Sequence, residues 1–432
     1  MKLIEQIRYA LWGPFTILLF VLTGLMLTVR TRGVQFWCLG RLLRGQKQKN
    51  TDGLTPFQAL CTSLGGTLGV GNLAGVATAI TLGGPGAVFY MLAAAFFGMA
   101  VKYAELVLAV RYRKPGREPL GGPMVYLAEG AGLPVLGKIF ALCCIVCVLG
   151  TGSAAQGCAI IESVSPLLGL PRPVIGITTA LLVLPVLLGG GKVIGRVAEI
   201  LVPVMTVLYL AGGWAVLLAH ADALPQAIAA IWAGAHEPGA AGGGVLGLLT
   251  ARAVSNGFSK GVFSHEAGMG SAPIAHGCSN ASDPCAEGLL GAVEVFIDTC
   301  VVCLTTALCI LCTGAGGDGL TRTIGAFETV FGRFADGFIA LIVLFLAIST
   351  ILGWSFYGLA CLRWLRAPQL IRRLYPLAVA AAAGLSSLMP LTELLLCADI
   401  ASACMAFPNL IGLWALSGEV AAETRQFLKQ KQ

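Results

Sequence analysis

The sequence predicts an all-α, polytopic membrane protein, and three observations favour this fold class. Of its 432 residues, 57% are hydrophobic and only 11% are charged, whereas about a quarter of a soluble domain is charged. The mean hydropathy is +0.85. Apolar runs long enough to cross a bilayer recur along the chain, and they lack the short alternating segments of a membrane β-barrel.

We predict about eleven membrane spans within one transporter domain that comprises residues 1–432. The segments 221–246 and 314–335 are predicted to lie outside the membrane, as a short surface helix with a loop and as a longer outer loop. The predicted spans are 11–30, 57–80, 86–111, 138–165, 173–190, 197–219, 247–275, 287–313, 336–365, 374–391 and 394–417.

The distribution of Lys and Arg predicts the orientation of these spans. With the loop after the first span in the cytoplasm, 20 of the 28 Lys and Arg residues fall on the cytoplasmic side. Positive residues concentrate on that side of membrane proteins. The sequence therefore predicts an outside N-terminus and a cytoplasmic C-terminus in the plasma (inner) membrane, and no nucleic-acid partner for the basic residues.

Two groups of five spans, 57–219 and 247–417, follow the extra N-terminal helix at 11–30. An odd number of spans makes the groups run in opposite directions, as in an inverted repeat. Each group opens with an interrupted helix, at 65–72 and at 255–273, where Gly residues are mixed with polar ones. Glycine motifs often serve helix packing, but paired interruptions in inverted repeats indicate a transport site near the bilayer midplane.

Ionisable residues inside the predicted spans are expected to be paired or functional, because a charge in hydrocarbon is costly. Lys102 and Glu105 lie three residues apart and can form an ion pair on one helix face. Glu294 and Asp298 lie four residues apart. They could bind a cation, relay a proton, or pair with a basic residue of the seventh span.

Four further polar or aromatic residues face the predicted site. Ser349 and Thr350 are adjacent hydroxyl residues that suit a hard cation such as sodium, although Ser and Thr often bond back to their own helix. Trp354 lies one turn later, where it could be core packing or a wall that limits substrate size. Gln156 could contact the substrate or bridge helices.

Several motifs carry a resemblance to a known family. The long ones are Gly69-Val-Gly-Asn-Leu-Ala-Gly-Val-Ala-Thr-Ala-Ile80 and Phe263-Ser-His-Glu-Ala-Gly-Met-Gly-Ser-Ala-Pro273, and shorter ones stand at 83–91, 121–124 and 296–299. On these residues the chain resembles the alanine/glycine:cation symporter family, also called sodium:alanine symporters, over nearly its whole length. His265 departs from the family pattern, which usually has Asn there, and adds a titratable group.

The resemblance implies a leucine-transporter-like fold of the amino acid–polyamine–organocation superfamily, with a 5+5 inverted repeat and one extra N-terminal helix. It also implies a sodium site built from backbone carbonyls and two hydroxyls. The residues implied at that site are Gly65, Leu68, Leu346, Ser349 and Thr350.

The resemblance further implies how an amino-acid substrate is held. Its carboxylate meets backbone amides of the first interrupted helix, and its ammonium meets carbonyls of the second. Phe258 and Trp354 then limit the side chain to a small one. The substrate-binding residues implied in this way are Gly69, Gly71, Asn72, Ser255, Asn256, Gly257, Phe258 and Trp354, and Gln156 is added to them as the amide that could contact the substrate.

The sequence therefore predicts sodium-coupled symport of alanine or glycine into the cell by alternating access. Sodium is the expected coupling ion, and no cofactor is expected. No enzymatic activity is expected either, because His, Cys and Asp residues do not cluster at catalytic or metal-binding spacing. A proton-coupled transporter of another small solute is the alternative. The sequence leaves open the choice among alanine, glycine and serine.

Overall fold

The computed structural model describes residues 11, 13–42, 53–116, 118–236, 252–388 and 391–430, and every extended regular element within these ranges is a helix. The first residues of the predicted seventh span, 247–251, lie outside the described residues. The same is true of 389–390, near the end of the predicted span 374–391.

The described residues of the first half of the chain contain nine α-helices of more than three residues. They are α1 Pro14–Arg30, α2 Val34–Leu42, α3 Pro56–Thr67, α4 Val76–Gly83, α5 Gly86–Arg111, α6 Pro134–Leu149, α7 Ala155–Leu168, α8 Arg172–Leu188 and α9 Gly190–Ala219.

The described part of the second half contains nine more. They are α10 Leu224–Ala235, α11 Arg252–His265, α12 Ala272–Gly277, α13 Pro284–Val295, α14 Leu304–Thr313, α15 Gly319–Phe331, α16 Ala335–Trp364, α17 Gln369–Gly384 and α18 Leu391–Gln430.

Four wider, π-helical turns are inserted between or beside these helices. They comprise Gly71–Gly75 before α4, Tyr126–Gly130 before α6, Gly150–Ala154 between α6 and α7, and Phe296–Cys303 between α13 and α14. Such turns shift the register of a helix and are frequent at functional sites.

Six helical stretches of the described chain are long and apolar enough to cross a membrane, and the number rises to eight if each of two bent helix pairs is one span. The predicted count of eleven is thus not reached. One reason is that α8, Arg172–Leu188, is apolar but only 17 residues long. The six stretches are Gly86–Arg111, Pro134–Leu168, Gly190–Ala219, Pro284–Thr313, Gly319–Trp364 and Ile400–Lys429.

Two segments outside the predicted spans have different outcomes. Helix α10 confirms the helix predicted within 221–246, whereas the loop predicted after it, 237–246, lies outside the described residues. The predicted outer loop at 314–335 is wrong, because it contains the helix Gly319–Phe331. Aromatic stacking attaches this helix to its neighbours: Phe327 packs against Tyr209 and Phe338, with ring centroids 5.9 and 5.7 Å away.

Helix α5 forms the centre of the structure and packs along α11 and α13. It is buried on nearly all sides. Even Lys102 and Glu105 are fully buried on it. A helix buried all round in this way shows no single apolar stripe, so its neighbours can be read only from the three-dimensional structure.

The first predicted interruption is confirmed. Helix α3 ends at Thr67, and the chain resumes as the turn Gly71–Gly75 and α4 with a bend of 51°. The second interruption falls only in the later part of the predicted range 255–273, because α11 runs unbroken from Arg252 to His265. The chain turns sharply only afterwards, with positive φ at Glu266, Gly268 and Gly270.

Glycines let α3 and α16 cross at very short range. A Cβ atom added to Gly353 of α16 would lie 2.7 Å from the Thr62 carbonyl oxygen and 2.8 Å from the Gly66 amide nitrogen. These contacts are to backbone atoms, which cannot rotate away. The crossing brings Ser349 and Thr350 of α16 against the C-terminal end of α3.

This contact predicts that Gly353→Ala lowers stability. The added methyl group forces α3 and α16 apart, and overpacking of this kind costs about 1–3 kcal/mol. Gly337→Ala is the matched control, because Gly337 lies on the same helix with nothing within 4 Å of an added Cβ; it gains up to about 1 kcal/mol in helix propensity. Apparent melting temperatures in detergent compare the two, and equal or higher stability of Gly353→Ala would contradict this packing.

Candidate functional site

Five oxygens from α3 and α16 converge where α3 ends. The Thr350 hydroxyl oxygen lies 3.0 Å from the Gly65 carbonyl oxygen, 3.5 Å from that of Leu68 and 2.9 Å from that of Leu346. The Ser349 hydroxyl donates to the Leu346 carbonyl at 2.8 Å. The structure therefore brings together all five residues predicted for the cation site.

The Gly65 and Leu68 carbonyls are available because their helical partners donate elsewhere. In a continuous helix the Gly69 amide would donate to Gly65. It donates instead to Asn72 Oδ1 at 3.0 Å. The Asn72 amide, the helical partner of Leu68, donates to the Gly69 carbonyl at 3.1 Å. A hydroxyl has a single proton, so Thr350 alone cannot satisfy the three carbonyls around it.

A central cavity of about 620 Å³ of atom-free space adjoins this cluster. Six of the predicted site residues line it: Gly69, Gly71, Asn72, Gln156, Thr350 and Trp354. Two of the π-helical turns line it, through Asn72 and Thr151. Asp298 of a third turn lies behind the lining, bonded to Asn72 and Ser264.

Gln156 and Thr151 present buried polar atoms on the cavity wall. The Gln156 amide donates to the Thr151 carbonyl at 3.3 Å. Gln156 Oε1 and the Thr151 hydroxyl are buried without a hydrogen-bond partner, an arrangement that is costly unless a ligand or water completes it.

The segment Ser255–Phe258 does not line the cavity, in contrast to the prediction. It belongs to the continuous helix α11, where carbonyls accept amides one turn later. The Asn256 side chain donates to the Arg252 carbonyl at 2.9 Å. A Cβ on Gly257 would lie 2.4 Å from the Ala87 carbonyl oxygen, so this glycine serves packing against α5.

Phe258 likewise points away from the cavity. It packs against Tyr90, with ring centroids 6.1 Å apart, and lines a separate apolar crevice with Phe20 and Leu410. The aromatic residue of α11 that reaches the central cavity is Phe263. The structure thus replaces Phe258 with Phe263 as the aromatic ring near the site.

The cavity residues that the sequence analysis did not assign to the site come mainly from the end of α11 and the break that follows it. The Phe263–Pro273 motif marked this region, but its exact turn could not be read from glycine content alone. Among the unpredicted lining residues are Thr67, Thr151, Lys260, Phe263, Ser264, Glu266 and Met269.

Asn72 connects the two broken helices through a buried network. Its side-chain amide donates to Asp298 Oδ1 at 2.6 Å and lies 3.1 Å from the Ser264 hydroxyl oxygen. Ser264 donates to Asp298 Oδ2 at 2.7 Å. All three side chains are buried. The Asn72 side chain is therefore engaged within the protein, and only backbone atoms of this turn remain for a ligand.

Lys102 forms its ion pair with Glu294, not with Glu105 as the spacing predicted. The Lys102 ammonium lies 3.0 Å from Glu294 and donates to the His265 carbonyl at 2.7 Å. Glu105 instead accepts from the Gly268 amide at 3.1 Å and from Asn409. Glu105 thus holds Gly268 at the second break, and Glu294, through Lys102, holds His265 beside it.

His265 lies at the last residue of α11, with its ring against Gly98 of α5. The Ala267 amide donates to His265 Nδ1 at 3.1 Å. The imidazole therefore closes the turn that begins the second break. Its Nε2 atom is buried without a partner.

Comparison with known proteins identifies the family. A profile described as the sodium:alanine symporter family matches residues 1–432. The chain belongs to this family. Its members are transporters, so this chain is a multi-pass membrane transporter and not an enzyme.

Two relatives show the range of the family. The chain is 38% identical to "Sodium/alanine symporter AgcS" of Methanococcus maripaludis over 99% of this chain and 97% of AgcS. It is 30% identical to "Probable sodium/glutamine symporter GlnT" of Bacillus subtilis over 98% of this chain and 89% of GlnT. The names of the two relatives therefore differ in the amino acid but share the cation.

Among solved structures, the manganese transporter of Eremococcus coleocola has a similar fold. The TM-score is 0.55 at 14% identity, over 84% of this chain and 76% of that transporter. Identity this low supports a shared fold and nothing about the transported solute.

The buried pair predicts a characteristic response to substitution. Lys102→Met leaves the buried Glu294 without its lysine partner, with only His276 Nε2 3.8 Å away as a basic neighbour among the described residues; breaking a buried pair typically costs about 3–5 kcal/mol. The double variant Lys102→Met/Glu294→Gln removes both charges and recovers much of that loss. Apparent melting temperatures of the three proteins in detergent measure the effect. A double variant less stable than Lys102→Met would contradict the pairing.

Proposed function

We propose that this protein is a sodium-coupled symporter that carries a small neutral amino acid, alanine or glycine, into the cell. The observation that supports this most directly is the convergence of five uncharged oxygens beside the central cavity. Membership in the sodium:alanine symporter family and the similarity to AgcS support the same function.

We assign the cation site to the carbonyls of Gly65, Leu68 and Leu346 with the hydroxyls of Ser349 and Thr350. Sodium is a hard cation that prefers oxygen ligands, and freed carbonyls of broken helices coordinate such ions in transporters. A set of neutral oxygens binds a monovalent ion without trapping it. Binding ties α3 to α16, and this contact orders the turn at 68–72 that faces the cavity.

We assign the substrate carboxylate to the backbone of the first break. Helix N-termini attract anions through their free amides and dipole. Of the amides predicted here, those of Gly69 and Asn72 already donate within the turn. The amides of Val70 and Gly71 do not donate to Asn72 Oδ1 or to the Gly69 carbonyl. They are therefore our first candidates to bind the substrate carboxylate, with Gln156 on the opposite wall.

For the substrate ammonium we move the predicted contact from Ser255–Phe258 to the second break. The carbonyls of a continuous helix are occupied, whereas the chain after His265 leaves the helix and lines the cavity at Glu266 and Met269. Trp354 on the opposite side sets the upper limit on the substrate side chain.

We propose that the chain is one domain with two inverted repeats, 57–219 and 247–417, after an extra helix at 11–30. The presence of one broken helix near the start of each repeat supports this division. We also propose that the N-terminus is outside and the C-terminus cytoplasmic in the plasma membrane, which makes the sodium gradient and membrane potential drive inward transport, at about 2.3 kcal/mol per charge per 100 mV.

Radiolabelled alanine uptake into proteoliposomes tests the proposed function. Uptake is expected only with an inward sodium gradient, and unlabelled glycine and serine are added as competitors. Alanine uptake that is driven by a pH gradient in sodium-free buffer would support the proton-coupled alternative instead.

Thr350→Ala is predicted to raise the sodium concentration for half-maximal alanine uptake about tenfold or more. The substitution removes the hydroxyl that lies among three carbonyls. Ser355→Ala is the matched control, because this buried hydroxyl on the same helix bonds only to its own helix at Ile351. An unchanged sodium dependence of Thr350→Ala would remove this hydroxyl from the site.

Trp354→Ala is predicted to widen substrate selection. The ring lines the cavity and leans on Gly152, whose added Cβ would lie 2.5 Å from the Trp354 Cβ. Removing it leaves space beside the substrate side chain. Competition by glutamine or leucine against labelled alanine measures the change. If the inhibition profile matches that of the wild type, Trp354 serves packing alone.

A further inference from the structure

We propose that Asp298 is a positioning residue that keeps the Gly65 carbonyl available to the cation, through Asn72 and Gly69. The inference rests on the proposed sodium-coupled function, and it concerns a residue that contacts neither of the proposed ligands. Three steps of geometry carry it.

The first step is the burial and bonding of the carboxylate. Asp298 lies in the π-helical turn Phe296–Cys303 and is fully buried. It accepts hydrogen bonds from Asn72 at 2.6 Å, Ser264 at 2.7 Å and Thr299 at 2.8 Å. Two of these donors belong to the two broken helices. The carboxylate thus holds the break of one helix against the end of the other.

The second step is the orientation of the Asn72 amide. An ionised carboxylate is an acceptor only, so the NH2 end of Asn72 must face Asp298. Its oxygen then faces the opposite way, towards the Gly69 amide, at 3.0 Å. The reversed amide would place an NH2 group against the Gly69 N–H, donor against donor. Asp298 therefore selects one of the two orientations of Asn72.

The third step links this orientation to the cation site. While Asn72 Oδ1 accepts from the Gly69 amide, that amide cannot close the helical bond to the Gly65 carbonyl. The Gly65 carbonyl is then free to face Thr350, 3.0 Å away. Without the acceptor at Asn72, the Gly69 amide can return to Gly65 and extend α3 by one bond. The cation would lose one ligand and the break would close.

Asp298→Asn tests the proposal with little change of shape. An amide has a donor end and an acceptor end, so it no longer dictates which end of Asn72 faces it. We expect the sodium concentration for half-maximal alanine uptake to rise at least fivefold, with the maximal rate at saturating sodium within twofold of the wild type. Thr299→Val is the matched control. It removes a donor to the same carboxylate that belongs to neither broken helix, and its sodium dependence is expected to change less than twofold.

Asn72→Ala provides a second route if Asp298→Asn does not fold. It deletes the link itself, so the same loss of sodium affinity is expected. The double variant Asp298→Asn/Asn72→Ala should shift the sodium concentration for half-maximal uptake no further than either single variant does, because both substitutions act through the same chain of hydrogen bonds. Multiplied shifts in the double variant, or an equal shift in Thr299→Val, would overturn the proposal.

Alkylation of Cys303 gives a readout that does not depend on transport. Its sulfur lies 3.3 Å from the Asn72 side-chain nitrogen and 3.1 Å from the Ser264 hydroxyl, and it is buried. In Asp298→Asn we expect N-ethylmaleimide to modify Cys303 at least tenfold faster, as followed by peptide mass spectrometry. Cys309, buried in the following helix, is the internal reference and should not change.

The two readouts separate failure of this inference from failure of the proposed function. If the wild type takes up no alanine with sodium, the proposed function fails, and the alkylation rates still decide whether Asp298 holds the two breaks together. If uptake is sodium-driven but Asp298→Asn shifts neither the sodium dependence nor the rate at Cys303, the positioning role fails alone.

Discussion

One hydrogen bond that is not made determines the centre of this structure. The Gly69 amide leaves its helical acceptor and donates to the side chain of Asn72. In a membrane, a freed backbone carbonyl needs another partner. The partner can come only from a neighbouring helix or from a ligand, and the glycine crossing of α3 and α16 places the Thr350 hydroxyl there. The break, the crossing and the oxygen cluster are consequences of the same departure from helical bonding.

Packing and binding are therefore not competing roles for the glycines of α3. Gly66 has no room for a side chain against Tyr357, whose hydroxyl would lie 2.6 Å from an added Cβ. Gly69 has only slightly more, because Thr350 Oγ1 would lie 3.1 Å from its Cβ. The close approach is what brings oxygens of two helices within reach of one small ion. A bulkier residue at either position would push against α16 and so move the oxygens of the two helices apart.

The sequence locates the first break closely, whereas it gives the second only as the wide range 255–273. This difference has a physical reason. In 65–72, glycines, Thr67 and Asn72 act locally, so the weak point of the helix can be read from the chain itself. In 255–261, Gly257 and Gly261 look similar but serve contacts with α5, where an added Cβ on Gly261 would lie 3.0 Å from Ala94. Only tertiary structure separates a glycine that packs from one that bends.

The charged residues show the same limit. Spacing paired Lys102 with Glu105, because three residues along a helix place them on one face. The structure pairs Lys102 with Glu294, which is remote in sequence but lies on the helix packed along α5. The structure brings together the oxygen residues proposed for the cation site. The family resemblance grouped them because it carries tertiary information that composition and spacing do not contain. The same resemblance also implied the Ser255–Phe258 contact, which does not line the cavity because α11 is continuous there.

The arrangement of charge around the cavity accounts for how a reversible ion site can exist in this interior. The five oxygens of the proposed cation site carry no formal charge, while the buried carboxylates contact residues around that site: Glu294 accepts from Ser63 and Thr67 of α3, and Asp298 accepts from Asn72. A carboxylate in direct contact would bind the ion more tightly and slow its release. Because the carboxylates lie behind the five uncharged oxygens, they can orient these oxygens while the ion itself is held by neutral groups. An ion that must bind on one side of the membrane and leave on the other needs this separation between the groups that position and the groups that bind.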